Sequence, residues 1–373
     1  MKIVVLGLSL SSSWGNGHAT TYRGLLLELA LRGHEIHFLE RDVPWFADNR
    51  DLTELPGVHL HFYASLDELE DRHLCDVRNA DAVIVGSYVP DGIEVGNLVL
   101  ENATGVTAFY DIDTPVTLAA LRRGQTDYLS AGQIARYRVY LSFTGGPTLQ
   151  ELERRWHSPA ARPLYCAVDP RAYYRESNVS PSWDLGYLGT YSSDRQPSLE
   201  RLLLEPARRS STHRFIVAGP QYPSAIAWPA NVERIEHLPP AEHRRFYNRQ
   251  RFTLNLTRAD MIAAGWSPSV RLFEAAACGT PIVSDYWPGL ENFFTPGHEI
   301  LLAHSASEVD RILRDLSPSV AAELGRAAQR RVLAQHTAAH RAMELEAHLM
   351  EASNRLTRSR SGWFASTSSS STT

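Results

Sequence analysis

Short runs of apolar residues alternate along the chain with segments whose apolar residues recur every three or four positions. The first run, at residues 3–8, is followed from Ala19 by a pattern that places apolar residues on one face of a helix, which Gly33 ends. This alternation predicts a parallel sheet covered by helices. The further strands predicted in this half of the chain lie at residues 35–39, 58–63, 82–85, 106–110 and 139–143.

A polar stretch at residues 175–182, rich in serine, then indicates a linker, after which the same pattern begins again. We therefore predict two doubly wound α/β domains, at residues 1–174 and 175–335. The strands predicted in the second domain lie at residues 185–188, 215–218, 252–256, 281–283 and 300–303, with helices near 199–208, 241–250 and 270–278.

The chain after the second domain is predicted to form a helix and a tail. Ser317 and Pro318 have the form of a helix cap followed by a proline at the first helical position, and the helical pattern continues almost to Ser353. We assign residues 336–356 to a C-terminal helix. The tail at residues 357–373 is rich in serine and threonine, and we expect it to be disordered.

The composition excludes several classes of protein. The formal net charge of −5 over 373 residues gives no overall reason to expect binding to nucleic acid or to an acidic membrane. The three cysteines lie far apart without a CxxC pair, which argues against a disulfide framework or a zinc site and fits the reducing cytoplasm. No stretch approaches the roughly 20 apolar residues that span a bilayer. We therefore expect a cytoplasmic protein.

The strongest candidate chemistry lies at residues 267–279. Ser269 begins a predicted helix, whose amino end offers amide hydrogens to an anion such as a pyrophosphate. Arg271 and Glu274 are three residues apart and share one face of that helix, so Glu274 could accept hydrogen bonds from the two hydroxyls of a ribose. An ordinary amphipathic helix with a surface Arg–Glu pair would have the same pattern.

Residues at the ends of two neighbouring strands could complete such a site. Gly189 would allow the backbone to approach a phosphate, Thr190 could donate its hydroxyl, and Arg195 could neutralise charge. An ordinary strand-to-helix turn with a solvated arginine explains these three residues equally well. Tyr222 follows the next strand and could stack on a base, or simply cover the edge of the core.

The first domain holds two further candidates. His18 follows two glycines, where it could be a general base, donate to a phosphate, or only bond locally. The loop before it lacks the GxGxxG spacing of dinucleotide-binding domains, which disfavours a dehydrogenase with Glu40 or Asp42 as its ribose-binding acid. Asp111 and Asp113 follow a strand, where they could contact a sugar or an acceptor, serve as a catalytic base, or cap a helix. A metal site is the less favoured alternative for this pair.

Several of these segments resemble one family of proteins. Ser269-Val-Arg-Leu-Phe-Glu-Ala-Ala-Ala-Cys-Gly-Thr-Pro281 and Gly289-Leu-Glu-Asn-Phe-Phe-Thr-Pro-Gly-His-Glu299 look like the glycosyltransferase C-terminal domain of the CgeB family, named for a spore-maturation protein. The resemblance covers most of residues 180–335. The first domain, with Trp14-Gly-Asn-Gly-His18 and Tyr110-Asp-Ile-Asp-Thr-Pro115, is similar to one bacterial branch of the family.

The resemblance implies a GT-B fold, in which two Rossmann-like domains face each other across a cleft and the last helix crosses back to the first. It implies a hexosyltransferase-type glycosyltransferase that needs no metal or other cofactor. A UDP-sugar is the expected donor, with dTDP- and GDP-sugars as alternatives, and the acceptor could be a glycan, a glycolipid, a protein or a small molecule. By position, Glu274 would bind the ribose, and the phosphates would be surrounded by Gly189, Thr190, Arg195 and Arg271.

One position departs from the pattern of that architecture. Many of its retaining enzymes carry a second glutamate eight residues before the ribose-binding one, and Trp266 stands there in this chain. The stereochemistry is therefore left open, and an inverting reaction would need His18 or Asp113 as its base. Arg258 would join the other arginines and the helix start in stabilising the departing diphosphate. A nucleotide-sugar epimerase, or a non-catalytic nucleotide-sugar-binding protein, are the alternative functions.

Overall fold

The computed structural model describes residues 1–125 and 127–367, and this part of the chain contains two parallel β-sheets. Each sheet belongs to its own compact unit. The first unit comprises residues 1–12, 25–164 and the chain from Arg341 onward, whereas the second comprises Ser13–Gly24 and Tyr165–His340. The domain limits inferred from the sequence stay predictions.

The sheet of the first unit consists of β1 (Lys2–Gly7), β2 (Glu35–Arg41), β3 (Val58–Tyr63), β4 (Ala82–Gly86), β5 (Val106–Asp111), β6 (Val139–Ser142) and β7 (Ala161–Pro163). Its order is β3-β2-β1-β4-β5-β6-β7, with every pair parallel. Every residue of β4 and β5 is buried, which explains why these strands are continuous apolar runs in the sequence. β7 was not predicted, because it is a three-residue edge strand that ends in proline.

Helices cross between these strands. They are α1 (Gly17–Leu31), α2 (Pro44–Ala47), α3 (Leu66–Asn79), α4 (Gly92–Asn102), α5 (Thr114–Arg122), α6 (Ala131–Ile134) and α7 (Pro147–Arg154). The start of α3 shows the local cause of such a boundary, since the Ser65 hydroxyl accepts a hydrogen bond from the Glu68 amide at 3.1 Å.

The sheet of the second unit consists of β8 (Trp183–Leu188), β9 (Phe215–Ala218), β10 (Val232–Ile235), β11 (Gln250–Asn255), β12 (Ile282–Ser284) and β13 (Leu301–Leu302). Its order is β10-β9-β8-β11-β12-β13, again parallel throughout. The chain order therefore reverses direction between β8 and β11, which is where open α/β sheets bind ligands. β10 was not predicted, because it is a short edge strand that carries two charged residues.

The helices of the second unit are α8 (Gln196–Leu199), α9 (Glu205–Arg209), α10 (Pro240–Asn248), α11 (Ala259–Ala264), α12 (Val270–Ala277), α13 (Ala306–Asp315) and α14 (Pro318–Gln335). A π-helical turn at Glu200–Leu204 joins α8 to α9. Ser317 caps α14, as its sequence predicts, by accepting a hydrogen bond from the Val320 amide at 3.3 Å.

The last helix, α15 (Ala338–Thr367), packs on the first unit. Its Glu346 carboxylate accepts hydrogen bonds from Arg32 at 2.8 Å and pairs with the His34 ring at 2.5 Å. Helix backbone continues to Thr367, whereas the sequence predicts disorder from residue 357. Each added residue of a formed helix gains one backbone hydrogen bond, which favours such continuation. The remainder of the predicted tail, residues 368–373, lies outside the described residues.

Candidate active site

The backbones of β8 and β9 approach each other closely just beyond their carboxyl ends. The Gly189 amide donates to the Ala218 carbonyl oxygen at 2.9 Å. A Cβ atom on Gly219, whose φ is +139°, would lie 2.1 Å from the Gly189 carbonyl oxygen. A side chain at Gly189 would in turn lie 2.9 Å from Nη2 of Arg271. Glycine is therefore required at position 219, and a side chain at position 189 would displace the ends of the Tyr187 and Arg271 side chains.

Arg271 lies directly beside this pair of glycines. Its Nε donates to the Leu188 carbonyl oxygen, its Nη1 donates to Oδ1 of Asn255 at 2.9 Å, and only 7% of the residue is exposed. The guanidinium also lies over the Tyr187 ring, 4.8 Å from its centroid. A surface Arg–Glu pair is therefore the wrong interpretation of this helix, since Arg271 and Glu274 are both buried. The helix instead fixes a positive charge at the end of β8.

Two more arginines flank the same strand ends. Arg195 donates from Nη2 to the Thr190 carbonyl oxygen at 2.7 Å, and Arg258 precedes α11. The Nε atoms of both are buried and have no hydrogen-bond partner among the described residues. A buried unsatisfied donor on a cation is costly, and such groups are expected where an anion binds. Among the sequence candidates, Thr190 accepts this hydrogen bond with its carbonyl oxygen. Donation from its hydroxyl to a phosphate stays a prediction.

Asp194 lies between these arginines. It accepts a hydrogen bond from the Ala259 amide at 2.9 Å and lies 3.8 Å from Nε of Arg258. Burial opposes ionisation, but the Ser192 hydroxyl, the Ala259 amide and the two positive charges together lower the pKa of Asp194. Asp194 is thus a negatively charged residue that orients Arg258, and the sequence alone did not single it out.

Helix α12 starts at the same edge of the sheet. Ser269 is its N-terminal cap, with φ −78° and ψ 142°, but its side chain makes no capping hydrogen bond. The Ser269 hydroxyl instead lies 3.4 Å from Nη1 of Arg271. The amino end of a helix carries partial positive charge and amide donors. Together with the arginines, it gives this edge of the second unit the character of an anion site.

Glu274 lies one turn further along α12 and is only 3% exposed. Its Oε2 accepts a hydrogen bond from the Tyr247 hydroxyl at 3.0 Å and lies 3.8 Å from Nδ1 of His243. Burial, and then the charge of Glu274, raise the pKa of Tyr247 and of Tyr173 far above the usual range, so both remain hydroxyl donors. This carboxylate therefore already has protein partners, which the sequence pattern did not reveal.

Tyr222 supports the glycine pair. Its hydroxyl donates to the Gly189 carbonyl oxygen at 3.1 Å, and the Arg234 guanidinium lies 4.3 Å from its ring centroid. Arg234 also lies 4.5 Å from the centroid of Trp228. One face of the Tyr222 ring is therefore covered by an arginine. Arg234 and Trp228 were missed in the sequence because β10 was missed.

Trp266 adopts an unusual backbone conformation just before α12. Its φ is +44°, a left-handed value that bulky residues rarely adopt, and its amide donates to the Pro288 carbonyl oxygen at 2.7 Å. A Cβ atom on Gly289 would lie 2.5 Å from the indole, so the ring rests on the Gly289 backbone. An aromatic side chain therefore occupies the position at which many retaining enzymes of the GT-B architecture carry a second glutamate.

In the first half of the chain, His18 is the second residue of α1. Its amide donates to Oδ1 of Asn16 at 3.0 Å, so Asn16 caps this helix, and 9% of His18 is exposed. The histidine is thus held at a helix start that follows the end of β1. At this position His18 could act either as a general base or as a hydrogen-bond donor to a phosphate, and both roles stay predictions.

Asp111 and Asp113 have different surroundings. Asp111 is fully buried, and its carboxylate accepts hydrogen bonds from the Tyr140 hydroxyl at 2.5 Å and the Thr117 hydroxyl at 2.9 Å. Burial raises the pKa of Asp111 to about 6 against these hydrogen bonds. Asp113, with ψ 45°, already turns into α5 and is half-buried. Asp113 is therefore the residue of the pair that lies nearer the surface.

Two features are absent from the ranges described here. No helix in them is both long and apolar enough to cross a lipid bilayer. No group of three or more histidine, cysteine, aspartate or glutamate residues in them is arranged to hold a metal ion.

Two parallel, Rossmann-like α/β units in one chain are the GT-B fold of glycosyltransferases, and solved structures of that class match the chain. Sucrose-phosphate synthase from Thermosynechococcus elongatus is 16% identical, with 98% of this chain and 100% of that chain covered and a TM-score of 0.65. The Anabaena protein Alr3699/HepE in complex with UDP and glucose is 12% identical, with 94% and 100% covered and a TM-score of 0.68. An α-glucosyltransferase in complex with UDP-glucose and DNA containing an abasic site is 13% identical, with 94% and 99% covered and a TM-score of 0.70.

The sequence comparisons add a family for part of the chain. Residues 195–347 match the family model described as glycosyl transferase-like. No curated protein sequence matches the chain significantly. The matched segment contains Arg195, Arg258, Arg271 and Glu274, so the candidate anion site lies almost entirely within it.

Proposed function

We propose that this protein is a glycosyltransferase that takes a sugar from a nucleotide-sugar donor bound to the second unit. The observation that carries the proposal is the set of three arginines near the glycine pair, two of which have buried Nε atoms without a hydrogen-bond partner among the described residues. A nucleoside diphosphate supplies the compact double negative charge that such a site lacks. The glycosyl transferase-like family match and the UDP complexes of the similar structures support this choice of ligand.

The arginines have distinct roles in this proposal. Arg195 and Arg258 bind the diphosphate with their unsatisfied donors, and Arg271 contributes its fixed charge together with the amino end of α12. Charge develops on the diphosphate as the bond to the sugar breaks, and preorganised cations stabilise that charge best because they need not rearrange. We therefore propose that no metal is required.

Glu274 is proposed to bind the ribose. A carboxylate has about four acceptor positions, and the hydroxyls of Tyr247 and Tyr173 use two of them. The remaining positions suit the two ribose hydroxyls. Tyr222 is proposed to support Gly189 rather than to stack on the base, since Arg234 covers one face of its ring. We propose UDP as the nucleotide, with dTDP and GDP as the alternatives to test.

The acceptor is proposed to be activated from the first half of the chain. If the reaction inverts the sugar, His18 or Asp113 is the base that takes the acceptor's proton. Asp111 is proposed to position the Asp113 turn, because its carboxylate accepts a hydrogen bond from the Asp113 amide at 3.2 Å and is itself fully buried. The reaction is proposed to be cytoplasmic and the chain a bacterial, CgeB-like hexosyltransferase, on the sequence resemblance and the wide spacing of the three cysteines in the sequence. With a net charge of −5, the acceptor is proposed not to be a nucleic acid.

A binding panel followed by a turnover assay tests the proposal. Thermal shifts with UDP, dTDP, GDP and their sugars identify the nucleotide, and a rise in melting temperature with at least one diphosphate is expected. The preferred sugar donor is then incubated alone and with candidate acceptors. Stability of the donor until an acceptor is added supports transfer, whereas a new sugar epimer formed without acceptor would show an epimerase. Absence of any shift across the panel would refute the proposal.

A further inference from the structure

Glu40 is a fully buried carboxylate near the end of β2 that the proposed reaction does not use. Its Oε1 accepts hydrogen bonds from the hydroxyls of Ser9 at 2.8 Å and Ser11 at 2.6 Å. Its Oε2 accepts from the amides of Leu10 at 2.6 Å and Ser11 at 3.0 Å. Each oxygen thus has two donors, which fills the acceptor capacity of a carboxylate.

These four donors all belong to the loop that leaves β1. Consecutive amides that point into one concavity form an anion site, and in Rossmann-like domains the loop after the first strand is where such a site receives a phosphate. Here the chain's own carboxylate occupies those amides. Glu40, which a dinucleotide-binding domain would use to bind a ribose, therefore binds the loop after β1 instead.

The same loop is held by several other contacts of the first unit. The Ser11 carbonyl oxygen accepts from the amides of Asp51 and Leu52, both at 3.0 Å. Ser12 donates from its amide to the Ser9 hydroxyl at 3.0 Å and from its hydroxyl to the Asn49 carbonyl oxygen at 2.8 Å. Ser12 is also the last residue of the opening segment of this unit. The chain reaches His18 six residues later.

We propose that Glu40 is a positioning residue, whose carboxylate is the built-in anion of the loop at residues 9–12 and thereby fixes the point from which the chain runs to His18. The effect on turnover rests on the proposed function, because it acts through His18. The binding of the loop amides by the Glu40 carboxylate does not depend on the proposed function. A buried polar network of this kind is highly sensitive to the loss of one member, since four donors would be left without an acceptor.

Chemical rescue tests the occupation of the loop. Glu40→Ala removes the carboxylate and leaves a space of its size, so the melting temperature is expected to fall. Formate, a free carboxylate, is then expected to restore a substantial part of the loss in a saturable manner, whereas chloride at equal ionic strength is not. Glu153→Ala is the matched control, because its carboxylate accepts a single amide, from Ala161 at 2.9 Å, at an exposed site. Equal responses of Glu40→Ala to formate and chloride would overturn the proposal.

Glu40→Gln keeps the size of the side chain and serves if the alanine variant does not fold. Its amide group turns a donor toward the loop donors, so formate has no space to bind and no rescue is expected. With UDP-glucose and an acceptor found in the turnover assay, its turnover number is expected to fall at least about tenfold while UDP affinity stays within about twofold of the parent's. An unchanged turnover number in a folded variant would overturn the link to His18. Failure of the parent protein to bind UDP would instead contradict the proposed function, and the formate experiment would still decide the role of Glu40.

Discussion

At the scale of single residues, the close approach of β8 and β9 in the second unit depends on Gly219, where no side chain separates the two backbones. Gly219 combines a φ of +139° with a distance of 2.1 Å between an added Cβ and the Gly189 carbonyl oxygen. Gly219→Ala is therefore expected to lower the free energy of unfolding by about 1–3 kcal/mol and to weaken UDP binding. Urea titration and calorimetry measure the two effects.

A second glycine provides the control for this prediction. Gly132 in α6 has no atom within 4 Å of an added Cβ and has no positive φ. Gly132→Ala is expected to leave UDP binding unchanged and to stabilise the protein by roughly 0.4–1 kcal/mol. If both variants had the same effect on stability and binding, the close approach of β8 and β9 would not matter.

Asp111 makes the stability depend on pH. Burial raises the pKa of this carboxyl to about 6, so the folded state holds its proton more tightly than the unfolded state does. Its contribution to stability is present below the unfolded pKa of about 3.9 and is lost as the pH rises through about 6. Asp111→Asn cannot lose a proton. Relative to the parent, this variant is expected to gain about 1.4 kcal/mol between about pH 5 and about pH 8.

Denaturant titrations of the two proteins at both pH values measure this gain. The informative quantity is how the difference in unfolding free energy between the two proteins changes with pH. Other groups that titrate in this range are shared by both proteins, so their contributions cancel. A difference in unfolding free energy that is the same at both pH values would show that Asp111 does not titrate between them.

At the scale of helices and strands, Glu346 attaches α15 to the first unit. It bonds to Arg32 and His34, and the Glu346 and His34 side chains are 13% and 8% exposed. These two partners lower the pKa of Glu346, with Arg32 the larger cause, so the carboxylate is charged. Glu346→Ala is expected to lower the unfolding midpoint in urea, because it leaves both partners without an acceptor.

Glu351 on the same helix is the control. Its pair with Arg162 joins side chains that are 46% and 28% exposed, and exposed ion pairs contribute little. Glu351→Ala is expected to shift the midpoint by less than half as much as Glu346→Ala. Equal shifts would mean that the partly buried Glu346 pairs contribute no more to stability than the exposed Glu351 pair.

The elements differ in how far the sequence predicted them. Buried central strands such as β4 and β5 were found because apolar runs identify them. The edge strands β7 and β10 were missed, since three or four residues with proline or charges have no such pattern. The residues of the candidate site likewise differ in whether a sequence pattern singles them out. Arg271 and Glu274 were singled out from their spacing on one predicted helix together with the family resemblance, and their roles stay predictions. Asp194 and Arg234 act through partners that only the fold brings together.

At the scale of the whole molecule, we propose that the second unit binds the diphosphate of a nucleotide. Arg258 is the most informative residue, because its buried Nε has only the Asp194 carboxylate at 3.8 Å and no hydrogen-bond partner among the described residues, while the side chain remains 36% exposed. Its replacement should therefore remove a ligand contact without collapsing the fold. Arg314, which is 65% exposed and pairs with Asp315, is a matched arginine of the same unit away from the strand ends.

The most direct measurement is titration calorimetry of UDP and of uridine against the parent, Arg258→Ala and Arg314→Ala. We expect the parent to bind UDP at least about a hundredfold more tightly than uridine, because the diphosphate meets fixed cations. Arg258→Ala is expected to reduce that ratio about tenfold with uridine affinity unchanged, and Arg314→Ala to leave the ratio as it is. Equal affinities of the parent for UDP and uridine, or a ratio that Arg258→Ala does not change, would contradict the account.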